Sequence, residues 1–161
     1  AARAGVSHAA PRNHFASRKA LLTALATEGY RRHAAAMRAG TTEASTRKER
    51  LRAAFDGYVA FARAHPHLYE LMFRGGALDR EDAELGEAAG ASYAVLIEIA
   101  EGLDWPRIDA STGDVGSEIM LWSLAHGYAH LAIHGQLEKP AGRLGRLPSP
   151  SATMPDFDYE T

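Results

Sequence analysis

Apolar residues recur at three- and four-residue steps along nearly the whole chain, and no segment sustains a two-residue alternation of β-branched residues. The pattern therefore predicts an all-α protein. Ser7 opens a short helix ending near His14, with Pro11 in or just after its first turn. Ser17 is the N-cap of a longer helix running toward Gly40, with Leu21, Leu22, Leu25, Tyr30 and Met37 as its apolar positions. The polar stretch from Gly40 to Thr46 reads as a connector. Between Thr46 and His65, the residues Leu51, Ala54, Phe55, Tyr58, Ala62 and His65 share one helical face. Pro66 ends that helix and starts a short one to Phe73, which Gly75-Gly76 breaks.

A further helix spans Asp79 to Gly102, with Leu85, Ala89, Tyr93, Leu96, Ile97 and Ala100 joined by Val95 and Ile99. After the turn Leu103–Pro106, the last long helix runs from Asp109 or Asp114 to Gly135. Met120, Leu121, Leu124, Tyr128 and Leu131 lie on one of its sides, and Ile119, Trp122 and Ile133 on another. A helix apolar all round must be covered all round, which in a small protein usually means a subunit interface. Pro, Gly and Ser dominate from Pro140 onward and predict an irregular tail. The reading divides the chain into a head, 1–40, a body, 41–139, and a tail, 140–161.

Composition narrows the class. The 161 residues are 46% hydrophobic and 24% charged, as expected of a globular protein with a real core. No apolar run reaches membrane-spanning length, no secretory leader is evident and there is no cysteine, so disulfides and thiolate metal sites are excluded. A cytoplasmic location follows as an expectation. The net charge of −2 conceals an asymmetry. Up to Arg52 there are eleven Lys or Arg against three acids; from Ala53 on there are seven against seventeen. A basic head on an acidic body suits a polyanionic partner.

The first thirty residues carry a family resemblance. Gly5-Val6-Ser7, then His8-Ala9-Ala10-Pro11-Arg12-Asn13-His14-Phe15, then Ser17-Arg18-Lys19-Ala20-Leu21-Leu22, resemble the turn, recognition helix and following helix start of TetR-family regulators. Tyr58 to Phe73 and Trp122-x-x-x-His126-Gly127-x-x-x-Leu131 resemble a TetR C-terminal subgroup with a Trp-x-x-x-His-Gly signature. The resemblance implies a helix-turn-helix head, incomplete here because two helices should precede Gly5, on a helical-bundle domain that dimerises and senses a ligand. It places Ser7 as the helix cap and His8, Ala9 and Ala10 at base edges, with Asn13 beside them. Arg12, His14, Arg18 and Lys19 fall at phosphates. Arg12 stands where the family usually has Tyr, and Lys19 where it usually has an acid.

The implied partners are double-stranded operator DNA, a second copy of the chain through the helices near 80–103 and 110–135, and a small apolar effector that releases the protein, as a repressor, from its operator. The candidate effector residues are Tyr58, Phe61, Tyr69, Met72, Phe73, Tyr93, Trp122 and His126. No cofactor is expected. One alternative stays open, a helical-bundle metal-binding protein or metalloenzyme: His126, His130 and His134 stand four apart, a spacing that also suits metal ligands, with His65 and His67 as further candidates. No nucleophile elbow, phosphate loop or paired carboxylates point to an enzyme.

Overall fold

The computed structural model describes residues 14–43, 45–104, 113–155 and 158–159. Helix α1 (Arg18–Arg38) starts where Ser17 Oγ accepts a hydrogen bond from the Ala20 amide at 3.0 Å. Helix α2 (Arg47–Ala64) has a reciprocal cap: the Glu49 amide donates to Thr46 Oγ1 at 3.2 Å, and the Thr46 amide donates to Glu49 Oε2 at 2.7 Å. Those bonds hold the Glu49 carboxyl below its usual range. Pro66 opens α3 (Pro66–Met72), a 3-10 turn covers Gly75–Ala77, and Asp82 caps α4 (Ala83–Ala100) through the Leu85 amide at 2.8 Å. The bundle is completed by α5 (Gly113–Ile133).

Helix α1 packs against α2, α3 and α4, while α5 lies against α2 and α4. The buried stripe of α1 differs from the expected one. Leu25 is exposed, and the residues turned inward are Thr23, Ala26, Thr27, Gly29, His33, Ala34 and Met37. Close packing is the reason. A Cβ on Gly29 would lie 2.8 Å from Met72 Sδ, and one on Gly57 would overlap the Ala36 carbonyl oxygen. Small side chains on α1 let three helices approach it at once. Surface ion pairs join α1 to α4 as well, Arg31 to Glu84 at 3.2 Å and Arg38 to Glu98 at 2.7 Å. Exposed pairs of this kind contribute little each.

The segment expected as an irregular tail is more ordered. It contains α6 (Glu138–Leu144), closed by Gly145 in the left-handed conformation at φ 68°, and a 3-10 turn at Pro150–Thr153. Asp56 on α2 holds that turn by accepting from the Ser151 amide at 2.8 Å and the Ser151 hydroxyl at 2.6 Å. Pro140 sits in the first turn of α6, where its missing N–H costs little, and Gly142 lies within the same helix. Two short strands, β1 (Leu103–Asp104) and β2 (Asp158–Tyr159), pair antiparallel, a feature the helical periodicity did not announce. Among the described residues no helix is long and apolar enough to cross a membrane.

Candidate functional site

Helices α1, α2, α4 and α5, with the end of α3, leave a cavity of about 500 Å³ between them. Helix α1 contributes Tyr30, His33 and Met37; α2 contributes Leu51, Ala54, Phe55 and Tyr58. Met72, Phe73 and Arg80 come from α3 and the segment after it. Helix α4 adds Ala89, Gly90, Ser92, Tyr93, Leu96 and Ile99, and α5 adds Leu121, Trp122 and Ala125. The size suits a drug-like or smaller metabolite-like molecule, and the wall is mainly aliphatic and aromatic. Its rings meet edge to face: Tyr93 and Trp122 at 6.0 Å between centroids, Tyr30 and Phe73 at 6.1 Å.

Of the side chains that the resemblance put forward for an effector, Tyr58, Met72, Phe73, Tyr93 and Trp122 line this cavity. Phe61, Tyr69 and His126 stand behind it. Phe61 is buried against the His33 and His65 rings, each at 5.3 Å. Tyr69 and His126 join Tyr58 in a polar knot. The Tyr58 and Tyr69 hydroxyls lie 2.9 and 2.8 Å from His126 Nδ1 and 3.2 Å from each other. Burial pushes the Tyr58 hydroxyl up to about 12 and raises that of Tyr69 further, while burial and then the nearby His130 lower His126. The knot is therefore a neutral imidazole between two protonated phenols, which supports the cavity wall from outside.

Tyr30, His33, Ser92 and Arg80 were not among the expected residues. His33 is 2% exposed, and its Nδ1 lies 2.8 Å from Ser92 Oγ across the α1–α4 contact. Its ring meets Tyr58 edge-on at 4.3 Å. Burial, then the proximity of His126, lowers His33 to about 4, so it is neutral near neutral pH. A signal for it existed: Tyr30, His33 and Met37 stand at steps of three and four on one helical face.

The histidine row does not converge. His126 turns inward to the tyrosines, whereas the His130 and His134 rings lie 4.3 Å apart toward the surface, with His134 Nε2 3.5 Å from Glu70 Oε1. Exposed His67 faces Glu70 at 4.0 Å, and His65 packs on Phe61. Among the described residues no group of three or more His, Asp or Glu side chains is placed to hold a metal ion.

Of the candidate DNA contacts, Ser7, His8, Ala9, Ala10, Arg12 and Asn13 lie outside the described residues. His14, Arg18 and Lys19 are exposed at the start of the described chain. Lys19 Nζ pairs with Asp79 Oδ1 at 3.1 Å, with both side chains about half exposed.

Residues 51–146 match the family described as "Tetracyclin repressor-like, C-terminal domain". A solved structure titled as a protein with unknown function from Rhodococcus sp. RHA1 is 33% identical, covers 85% of this chain and 71% of its own, and superposes with a TM-score of 0.66. No curated protein matches the chain.

Proposed function

We propose a function from one established premise: this chain belongs to the TetR family. It is a helical, ligand-responsive transcription regulator rather than an enzyme. The finer reading is a cytoplasmic repressor that leaves its operator when a largely apolar small molecule fills the cavity between α1, α2, α4 and α5. Its C-terminal part falls in the Trp-x-x-x-His-Gly subgroup through Trp122, His126 and Gly127. The head is residues 1–40, the sensing and dimerising body 41–139, and the tail 140–161.

The observation that carries this reading is that one helix serves both ends. Helix α1 begins beside Arg18 and Lys19, and three turns later supplies Tyr30, His33 and Met37 to the cavity wall. A molecule that displaces those side chains tilts α1 and with it the part of the head that precedes this helix, a two-state coupling between sites. Lys19 fits this role because a half-exposed partner such as Asp79 can be exchanged for a phosphate at little cost.

Dimerisation through α4 and α5 has its own support. Ile97 is 46% exposed, Val115 56%, Ile119 53% and Trp122 40%, so an apolar face on these two helices is uncovered in a single chain.

The deciding experiment is binding of the full-length protein to its own upstream promoter duplex across a salt series. Affinity that falls steeply with salt, and falls further in the double variant Arg12→Ala, Arg18→Ala, supports the DNA-binding reading. Salt-independent or absent binding removes it.

A further inference from the structure

The cavity wall carries one uncommitted polar atom. His33 lines the cavity and is buried, Nδ1 is paired with Ser92 Oγ, and Nε2 has no hydrogen-bond partner among the described residues. The other polar groups on the wall are occupied. The Tyr30 hydroxyl donates to the Met72 carbonyl at 2.8 Å. The Tyr93 hydroxyl donates to Glu118 Oε2 at 2.6 Å. The Tyr58 hydroxyl belongs to the knot with Tyr69 and His126. Buried polar groups are nearly always paired, so an orphan beside an empty space of this size calls for an account.

The direction of the Ser92 bond decides which way the orphan faces chemically. Were Nδ1 to donate to Ser92 Oγ, the proton left over would be the serine's, on an oxygen that makes no other hydrogen bond among the described residues. With the Ser92 hydroxyl donating to Nδ1, the proton left over is on Nε2, the ring nitrogen without a partner among the described residues. The second arrangement sets the open proton on a residue of the cavity wall, where a ligand can meet it, and Nε2 is then a donor in search of an acceptor. The ring is uncharged near neutral pH, so it offers no compensation for a buried carboxylate. Arg80, the cationic side chain of the wall, is exposed to solvent.

Resting on the reading of this cavity as an effector site, we propose that the effector is an uncharged, largely apolar molecule carrying a carbonyl or ether oxygen that accepts a hydrogen bond from His33 Nε2. Ser92 is a positioning residue that fixes the imidazole tautomer. Apolar bulk supplies most of the affinity, and the single oxygen sets orientation and selects among molecules of similar shape.

The test uses three probes that differ at one bridging group: benzophenone (carbonyl), diphenylmethane (methylene) and diphenylamine (N–H). Binding of each to the full chain is measured by calorimetry at pH 7.5. Wild type is expected to bind benzophenone about tenfold more tightly than diphenylmethane, the size of one buried hydrogen bond made or left unmade. His33→Phe keeps an aromatic ring against Tyr58 and Phe61 and is expected to bind both equally. Nitrogen-15 NMR of the wild-type protein gives a readout that needs no variant, and is expected to find the His33 proton on Nε2. A preference for diphenylamine, a proton on Nδ1, or equal binding of benzophenone and diphenylmethane by wild type overturns the inference while leaving the cavity as a binding site. Failure of wild type to bind any of the three overturns the inference and the effector-site reading together.

Discussion

Tyr30 donates its hydroxyl proton to the Met72 carbonyl oxygen at 2.8 Å, tying the middle of α1 to the last residue of α3. That carbonyl has no partner within its own short helix, since the final carbonyls of a helix never do. The tyrosine supplies one from across the cavity wall while its ring meets Phe73 edge-on. Burial raises the Tyr30 hydroxyl above its ordinary value, against a smaller opposing pull from Arg80, so it stays protonated and remains a donor. Tyr30→Phe keeps the ring and removes the donor. It is expected to cost about 1–2 kcal/mol, seen as a fall of a few degrees in Tm. A variant as stable as wild type would mean that the carbonyl finds water instead.

Gly57 allows α2 to cross α1 at the Ala36 carbonyl, where no side chain fits. Gly57→Ala places a methyl group against backbone rather than against a flexible side chain, so the helices must part. A loss of about 1–3 kcal/mol is expected in denaturant unfolding. An unchanged midpoint would show that the two helices can slide apart without disturbing the aromatic layer behind them.

The depressed His33 has a consequence for acid stability. In the folded protein its ring stays neutral down to about pH 4, held by burial against Tyr58, Phe61 and Ser92 and by the nearby His126. In the unfolded chain it takes up a proton near its ordinary value. Between those values the unfolded state binds more protons, so stability present above pH 6.5 is lost as the pH falls toward 4. The contribution at stake is about 3 kcal/mol. Unfolding free energies measured from pH 7.5 to 4.5 should fall more steeply in wild type than in His33→Phe. Parallel slopes for the two proteins would contradict this assignment.

Much of this was legible in the residues themselves. Ser17 and Pro66 set helix starts that periodicity alone would leave floating by a turn, because each solves a local hydrogen-bonding or steric problem. The aromatic wall was half visible: Tyr58, Met72, Phe73, Tyr93 and Trp122 stand on helical faces that had to converge somewhere. What stayed hidden was polar and small. His33 and Ser92 are ordinary helical residues until two helices bring them within 2.8 Å. Phe61, Tyr69 and His126 looked equivalent to the lining residues, since a fraction of a helical turn separates facing a cavity from backing it. The order in the tail arises from contacts remote in sequence, such as Asp56 with Ser151, which no local pattern encodes.

The uncovered face of α4 and α5 yields the last prediction. Helix α5 is apolar on nearly every side, yet among its described residues the fully buried hydrophobic ones, Leu121, Ala125 and Ala129, lie on one side. Ile119 stands one turn before Trp122, and Ile97 one turn after Tyr93, so the exposed residues of both helices form a strip beside the Tyr93–Trp122 ring contact. Isolated exposed hydrophobes are ordinary, but a continuous strip on two adjacent helices is the surface a second copy would cover. A symmetric pairing presents the same strip on both partners, so one substitution acts twice. Ile119→Asp would then bury a carboxylate on each side of the contact, while leaving a free monomer undisturbed because the side chain already meets solvent there. Sedimentation equilibrium should give a dimer for wild type and a monomer for Ile119→Asp, with unchanged helical content by circular dichroism. The reciprocal check is Ile97→Asp, which should behave alike. Two variants that both remain dimeric would place the interface on another face, whereas a monomeric wild type would leave the strip to a different partner.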